Sequence, residues 1–179
     1  MKKLTLTLVS ACLVAHVSLS QNVLKAKTTE ISFFSSTPIE DINANSKKGV
    51  SAINLSTGQV YMKVPNTTFE FKAKLMQEHF NENYMESEKY PFSEFSGKIV
   101  DKIDLSKSGT YNVTVEGKLN MHGVVKDYKT QALIINDAGK LSSTSNFKVK
   151  LTDHDIKVPS LVFEKIAEVI DVKIQASYN

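Results

Sequence analysis

The chain reads as an all-β protein: an antiparallel β-barrel of about eight strands with one amphipathic helix inserted mid-chain. Three observations lead there. Apolar and polar residues alternate over long stretches, glycine-bearing turns separate those stretches, and at one place the apolar period lengthens from two to that of a helix.

Residues 1–20 read as a signal peptide. Lys2 and Lys3 form a positive start, Leu4 to Val17 an apolar run, and Ser18-Leu19-Ser20 a small-x-small cleavage site ahead of Gln21. Ser10 and His16 interrupt a run already shorter than the about 20 apolar residues that a membrane-spanning helix needs. The mature chain is therefore expected in the periplasm or outside the cell. Cys12, the only cysteine, leaves with the signal, which removes disulfides and thiol chemistry from the mature protein. Val9-Ser10-Ala11-Cys12 also spells a lipobox-like run, and a lipidated Cys12 is the alternative.

Residues 21–179 make one domain, a size at which folding hides about 70% of the unfolded chain's surface. All 22 basic residues are lysine, and the net charge of +3 falls to +1 when Lys2 and Lys3 are removed. Without guanidinium forks or a basic excess, nucleic acid is not an expected partner.

The strands follow in order. Shorter ones are expected at Glu30 to Ser35, Ile39 to Ser46, Val50 to Leu55, Gln59 to Val64, Thr68 to Phe71, Phe92 to Ile103 and Val124 to Ile135. Tyr111 to Met121 is the clearest, with Tyr111, Val113, Val115, Leu119 and Met121 apolar against Asn112, Thr114, Glu116, Lys118 and Asn120. Val169 to Tyr178 repeats the pattern, and Leu141 to Leu151 carries a weaker version ending in Phe147, Val149 and Leu151. Ser56-Thr57-Gly58, Ser106 to Gly109, His122-Gly123 and Asn136 to Gly139 place glycine where hairpins need a left-handed backbone. Pro65 and Pro91 flank the helical insertion, and Pro159 precedes the last strand. An outer-membrane barrel would share the alternation, but the chain has no tryptophan, only 6 tyrosines for two aromatic girdles, and a mid-chain helix that such a meander does not accommodate.

In the helical insertion Met76, Phe80 and Tyr84 recur at i, i+4 and i+8 beside Leu75, while Gln77, Glu78, Asn81 and Glu82 stay polar. His79, Tyr84-Met85 and Tyr90-Pro91 resemble the His-x4-(Tyr/Phe)-(Met/Phe)-x4-(Tyr/Phe)-Pro element of the bacterial YceI-like proteins. Val115 to Lys126 and the closing strand Val169 to Tyr178 resemble the same family, in the same order, from about Ile31 onward. That resemblance implies a lipocalin-like barrel whose interior holds a polyisoprenoid, a quinone tail or a fatty amide. A carrier of this kind needs no cofactor. Transient contact with a membrane and a homodimer both fit it.

Chemical motifs are sparse. There is no Gly-x-Ser-x-Gly elbow and no HExxH-type spacing among His79, His122 and His154. His122 is expected in a turn and His154 in a solvated acidic loop between Asp153 and Asp155. Glu78, Glu82, Glu86 and Glu88 read as a solvated helix face. The positive signal is aromatic and thioether: Phe33, Phe34, Phe69, Phe71, Phe80, Phe92, Phe95, Phe147, Phe163, Met62, Met76 and Met85 suffice to line a barrel around an elongated apolar guest. The expected ligand site has Met76, Phe80 and Tyr84 closing one side of a tunnel lined by Phe69, Phe71, Phe95, Val113, Val115, Phe147, Val172 and Ile174, with His79 beside the stripe either as a hydrogen-bond partner for a head group or as a satisfied structural histidine. Two alternatives stand beside it: a metal-dependent enzyme built on His79 and Glu82 with His122 or His154, and an envelope interaction protein whose barrel is solid.

Overall fold

The computed structural model describes residues 23–158 and 165–178; the expected signal segment, Cys12, Pro159 and Phe163 lie outside them. Among the described residues ten strands form one antiparallel sheet: β1 (Val23–Ser36), β2 (Asp41–Ser46), β3 (Val50–Asn54), β4 (Gln59–Pro65), β5 (Glu70–Phe71), β6 (Phe92–Ile99), β7 (Gly109–Met121), β8 (Val124–Asp137), β9 (Lys140–Lys150) and β10 (Val169–Tyr178). Their order is β10-β9-β8-β7-β6-β4-β3-β1-β2-β5, and β10 also pairs with β1, which closes an eight-stranded barrel.

β2 and β3 act as one interrupted strand. Ile31 pairs with Ser46 and Lys25 with Ala52, in the same register along β1. β5 extends the sheet from β2 alone, at the end of the barrel reached by the second half of β1. A bulge sits between Ala26 and Thr28 in the pairing of β1 with β10. It inserts one residue, so the dry face passes from Leu24 and Ala26 to Thr29, Ile31, Phe33 and Ser35. β1 starts at Val23, where it pairs with β3, and the phase change hides its first residues from a reading that begins the strand at Glu30.

Alternation is obeyed in the long strands. Val113, Val115 and Leu119 are buried on β7, and Ile170, Ile174, Ala176 and Tyr178 on β10. The outer wall carries the ion pairs Lys118–Asp127 at 2.8 Å, Lys129–Glu116 at 2.9 Å and Lys148–Asp171 at 2.6 Å. A charged exterior around a dry interior is the reverse of a barrel whose outer face meets lipid.

The two ends differ. One end is filled by Ile53, Ile99, Val113, Ile134, Leu141 and Tyr178, and by Leu105 from the loop between β6 and β7. The Leu105 carbonyl accepts a hydrogen bond from Asn136 Nδ2 at 2.9 Å, and the Tyr178 and Ser51 hydroxyls meet inside at 2.7 Å. Gly58, Gly123 and Gly139 take the left-handed backbone their turns require. Gly109 does not; it opens β7, and the turn before it is held by Tyr111 Oη, which donates to the carbonyls of Asp104 and Lys107.

Candidate functional site

The other end of the barrel is covered by the chain between β4 and β6. This excursion runs through a 3-10 turn (Asn66–Thr68), β5, the helix α1 (Lys74–His79) and a π-helical turn (Phe80–Tyr84) before returning at Pro91. Its two feet are tied together by Asn66, which is fully buried. The Asn66 backbone N–H donates to the Pro91 carbonyl at 2.9 Å and Nδ2 to the Tyr90 carbonyl at 2.7 Å, while Oδ1 accepts from Ser93 Oγ at 2.8 Å.

The amphipathic stripe stands as the spacing predicts as far as Phe80, and then the pitch changes. Met85 N–H donates to the Phe80 carbonyl at 2.8 Å, the i to i+5 bond of a π turn. At α-helical pitch, about 100° per residue, Met85 would point well away from the stripe. The wider turn brings it back, and Met85 is buried beside the cavity. Phe80 completes a roof of four rings. Its centroid lies 5.6 Å from Phe33, 5.6 Å from Phe69 and 5.1 Å from Phe71, and Phe33 lies 5.5 Å from Phe69. Offset and edge-to-face aromatic pairs of this kind contribute about 0.5–1.5 kcal/mol each beyond their burial.

Beneath the roof is a cavity of about 410 Å³. Its walls are hydrocarbon, aromatic and thioether, apart from Ser35, Asn66, Ser93 and the Tyr84 phenol, with Glu40, Lys63, His79, Glu94 and Lys165 completing the lining. Leu75 lines it and is 61% exposed, so the hollow reaches the surface beside α1. A barrel with a hollow of this size is not solid, which removes the filled-barrel alternative.

Of the expected lining, Phe69, Phe71, Met76, His79, Phe80, Tyr84, Phe95, Phe147, Val172 and Ile174 all surround this cavity. Val113 and Val115 do not. They point inward, as their strand phase predicts, but at the filled end, where Val113 is fully buried in the core. Alternation fixes which wall a residue faces and carries no information about its height in the barrel. Phe34 and Phe92 also lie off the cavity; Phe92 is 41% exposed, with Lys63 Nζ 3.8 Å above its ring. Sequence reading missed Ile31, Val64, Leu119, Val149, Leu151, Ile156 and Ile170 as lining. All but Ile156, which follows the 3-10 turn after β9, stand at apolar positions of the expected strands, and aromatic content drew attention elsewhere.

Polar groups at the site are few. His79 and Tyr84 line the cavity, and neither side chain has a hydrogen bond to the described residues. Burial pushes the Tyr84 phenol up from its ordinary pKa. His154 is not solvated; it is fully buried under the β7–β8 hairpin. Its Nδ1–H faces the carbonyls of Val124 at 3.1 Å and Met121 at 3.3 Å, and Nε2 accepts from Tyr128 Oη at 3.0 Å. Burial pushes its pKa down. His122 does lie in the turn, where Nδ1 donates to the His154 carbonyl at 2.9 Å and Nε2 meets Glu86 Oε2 at 3.1 Å. Glu86, read as mere solvation, therefore ties the end of the helical excursion to the β7–β8 hairpin. Among the described residues no three His, Asp or Glu side chains converge as a metal site, so His79 and Glu82 lack a third ligand.

The model of the YceI-like domain family matches residues 20–178. No protein with a curated description matches the chain in sequence. Among solved structures, a polyisoprenoid binding domain from Saccharophagus degradans, implicated in plant cell wall breakdown, is similar with a TM-score of 0.76 at 13% identity, over 89% of this chain and 98% of that one. BcnA of Burkholderia cenocepacia is similar at 0.71 and 14% identity, over 84% and 96%. A YCEI protein of Campylobacter jejuni is similar at 0.60 and 18% identity, over 76% and 84%.

Proposed function

Given that the chain belongs to the YceI-like family, we propose that it is a non-enzymatic carrier that holds one long-chain amphiphile in the cavity beneath Phe80. A polyisoprenoid, an isoprenoid quinone or a fatty-acid derivative has the required form. The observation that carries this reading is the apolar hollow of about 410 Å³, which falls within the range of about 300–1,000 Å³ typical of small-molecule sites. Each buried methylene contributes about 0.8 kcal/mol, so roughly ten of them gain about 8 kcal/mol before association costs, without any specific polar contact. His79, one helical turn from the exposed Leu75, and Tyr84 are polar side chains of the lining that can meet the head group. The polyisoprenoid binding named for the Saccharophagus degradans domain is consistent with this class of guest.

The same proposal places the mature protein in the periplasm or outside the cell, on the strength of Lys2, Lys3 and the apolar run that follows. Such a ligand is sparingly soluble, so loading takes place at a membrane, with the exposed Leu75 beside the opening as a contact. Organic extraction of protein purified from its own cells, followed by mass spectrometry, should return a long-chain lipid in near-stoichiometric amount. Protein that carries no lipid, and that also fails to bind a fluorescent long-chain probe after delipidation, would defeat the proposal.

A further inference from the structure

We infer that the depth to which the bound chain reaches is set by one layer of the barrel, Met62, Phe95, Phe147 and Ile174, in which Phe95 is the specificity-determining residue for chain length. The inference rests on the carrier reading above and specifies where its ligand ends.

Below the main cavity lies a second hollow of about 50 Å³. The two hollows share four lining residues, Met62 of β4, Phe95 of β6, Phe147 of β9 and Ile174 of β10. Four strands around the barrel thus contribute to one constriction between the two spaces. Phe95 packs against both the filled core and the cluster beneath the helix, which places its ring at the boundary.

That ring occupies a notch made for it. Gly97 and Gly117 face each other across β6 and β7. A Cβ on either glycine would lie 2.7 Å from the Phe95 ring, and one on Gly97 would also lie 2.6 Å from the Glu116 carbonyl oxygen. Paired glycines weaken a sheet, and close approach of another group is the usual reason for them. Here the group is the ring, laid along the wall toward the filled end. With Met62, Phe147 and Ile174 it narrows the lumen at the layer that a chain descending from the opening reaches. Below this layer the small hollow is lined by Ile53, Val115, Ile134 and Tyr178, whose hydroxyl is held at 2.7 Å by that of Ser51. Removing the ring joins the two spaces.

The test uses delipidated mature protein and straight-chain alcohols of increasing length that displace a fluorescent long-chain probe. In the natural protein each added carbon tightens binding about fourfold, as a fully buried methylene does, until a break after which the gain drops below about twofold. In Phe95→Ala the break moves to chains longer by about two or more carbons. Phe95→Leu, the gentler change should the alanine variant not fold, moves it in the same direction. Ala132→Leu, which fills the small hollow from its far side, returns the break toward the natural length when combined with Phe95→Ala. An unchanged break in folded Phe95 variants overturns the inference and leaves the carrier reading intact. Failure of the natural protein to bind any alcohol overturns both.

Discussion

Single buried polar residues decide whether the site exists. Asn66 has no exposure and satisfies three hydrogen bonds between the two feet of the excursion. Asn66→Ala leaves the Tyr90 carbonyl and the Ser93 hydroxyl without it, which costs about 2–3 kcal/mol in urea denaturation, since each unsatisfied buried group costs about 1–3 kcal/mol. Binding of a long-chain probe should weaken with it, because the roof is anchored there. His154 gives a pH dependence with a definite sign. Its pKa is lowered by burial from the ordinary 6.5, so the unfolded chain takes up a proton that the folded one resists. Stability is therefore fully present above about pH 6.5 and declines as the pH falls from there through the depressed folded value. Urea midpoints measured between pH 7.5 and 5 should fall, and in His154→Gln the His154 share of that slope disappears. None of this was readable from the sequence, where Asn66 is one polar residue before a turn and His154 sits between two aspartates.

At the scale of elements, the helix was legible and its pitch was not. Met76, Phe80 and Tyr84 mark a stripe by spacing alone, whereas the π turn that recovers Met85 depends on Phe33, Phe69 and Phe71 being there to receive Phe80. Phe80→Ala removes the centre of that ring cluster. Affinity for a long-chain probe should drop at least about tenfold, the effect of roughly 1.4 kcal/mol, with a stability loss of about 1–2 kcal/mol because the ring is only partly buried in the free protein. An unaltered affinity would mean that the roof does not touch the guest. The strands tell a similar story. β7 and β10 are legible nearly to their ends because apolar residues recur at every second position over most of their length, β9 is legible from Leu141, Phe147 and Val149 although Ser143 and Ser145 take inward positions between them, and β1 is legible only from Glu30 because its bulge reverses the phase between Ala26 and Thr28.

Across the whole molecule the barrel divides its labour along its axis. The filled end, with Val113 and Leu141 almost without exposure, supplies the packed core. The helical end gives up packing to keep a hollow. Val113→Ala should therefore cost about 2 kcal/mol of stability, two methyl groups and a residual void, while leaving probe affinity unchanged. Lipid bound only by the folded state should raise the stability of every folded variant that keeps the site, by about 2.7 kcal/mol at a free concentration of a hundred times Kd. Thermal unfolding with and without the lipid extracted from the protein measures this directly.

By itself the sequence determined the class, the phases of the strands without a bulge, the closing helix and the apolar character of the interior, because side-chain periodicity and turn chemistry are local properties. Which inward residues meet the hollow and which meet one another was decided only by the tertiary structure. That depends on where along the barrel axis the register places each strand, on the bulge in β1, and on the glycine notch that lets Phe95 lie flat. Those are relations between distant segments, and a period of two looks the same at either end of the barrel.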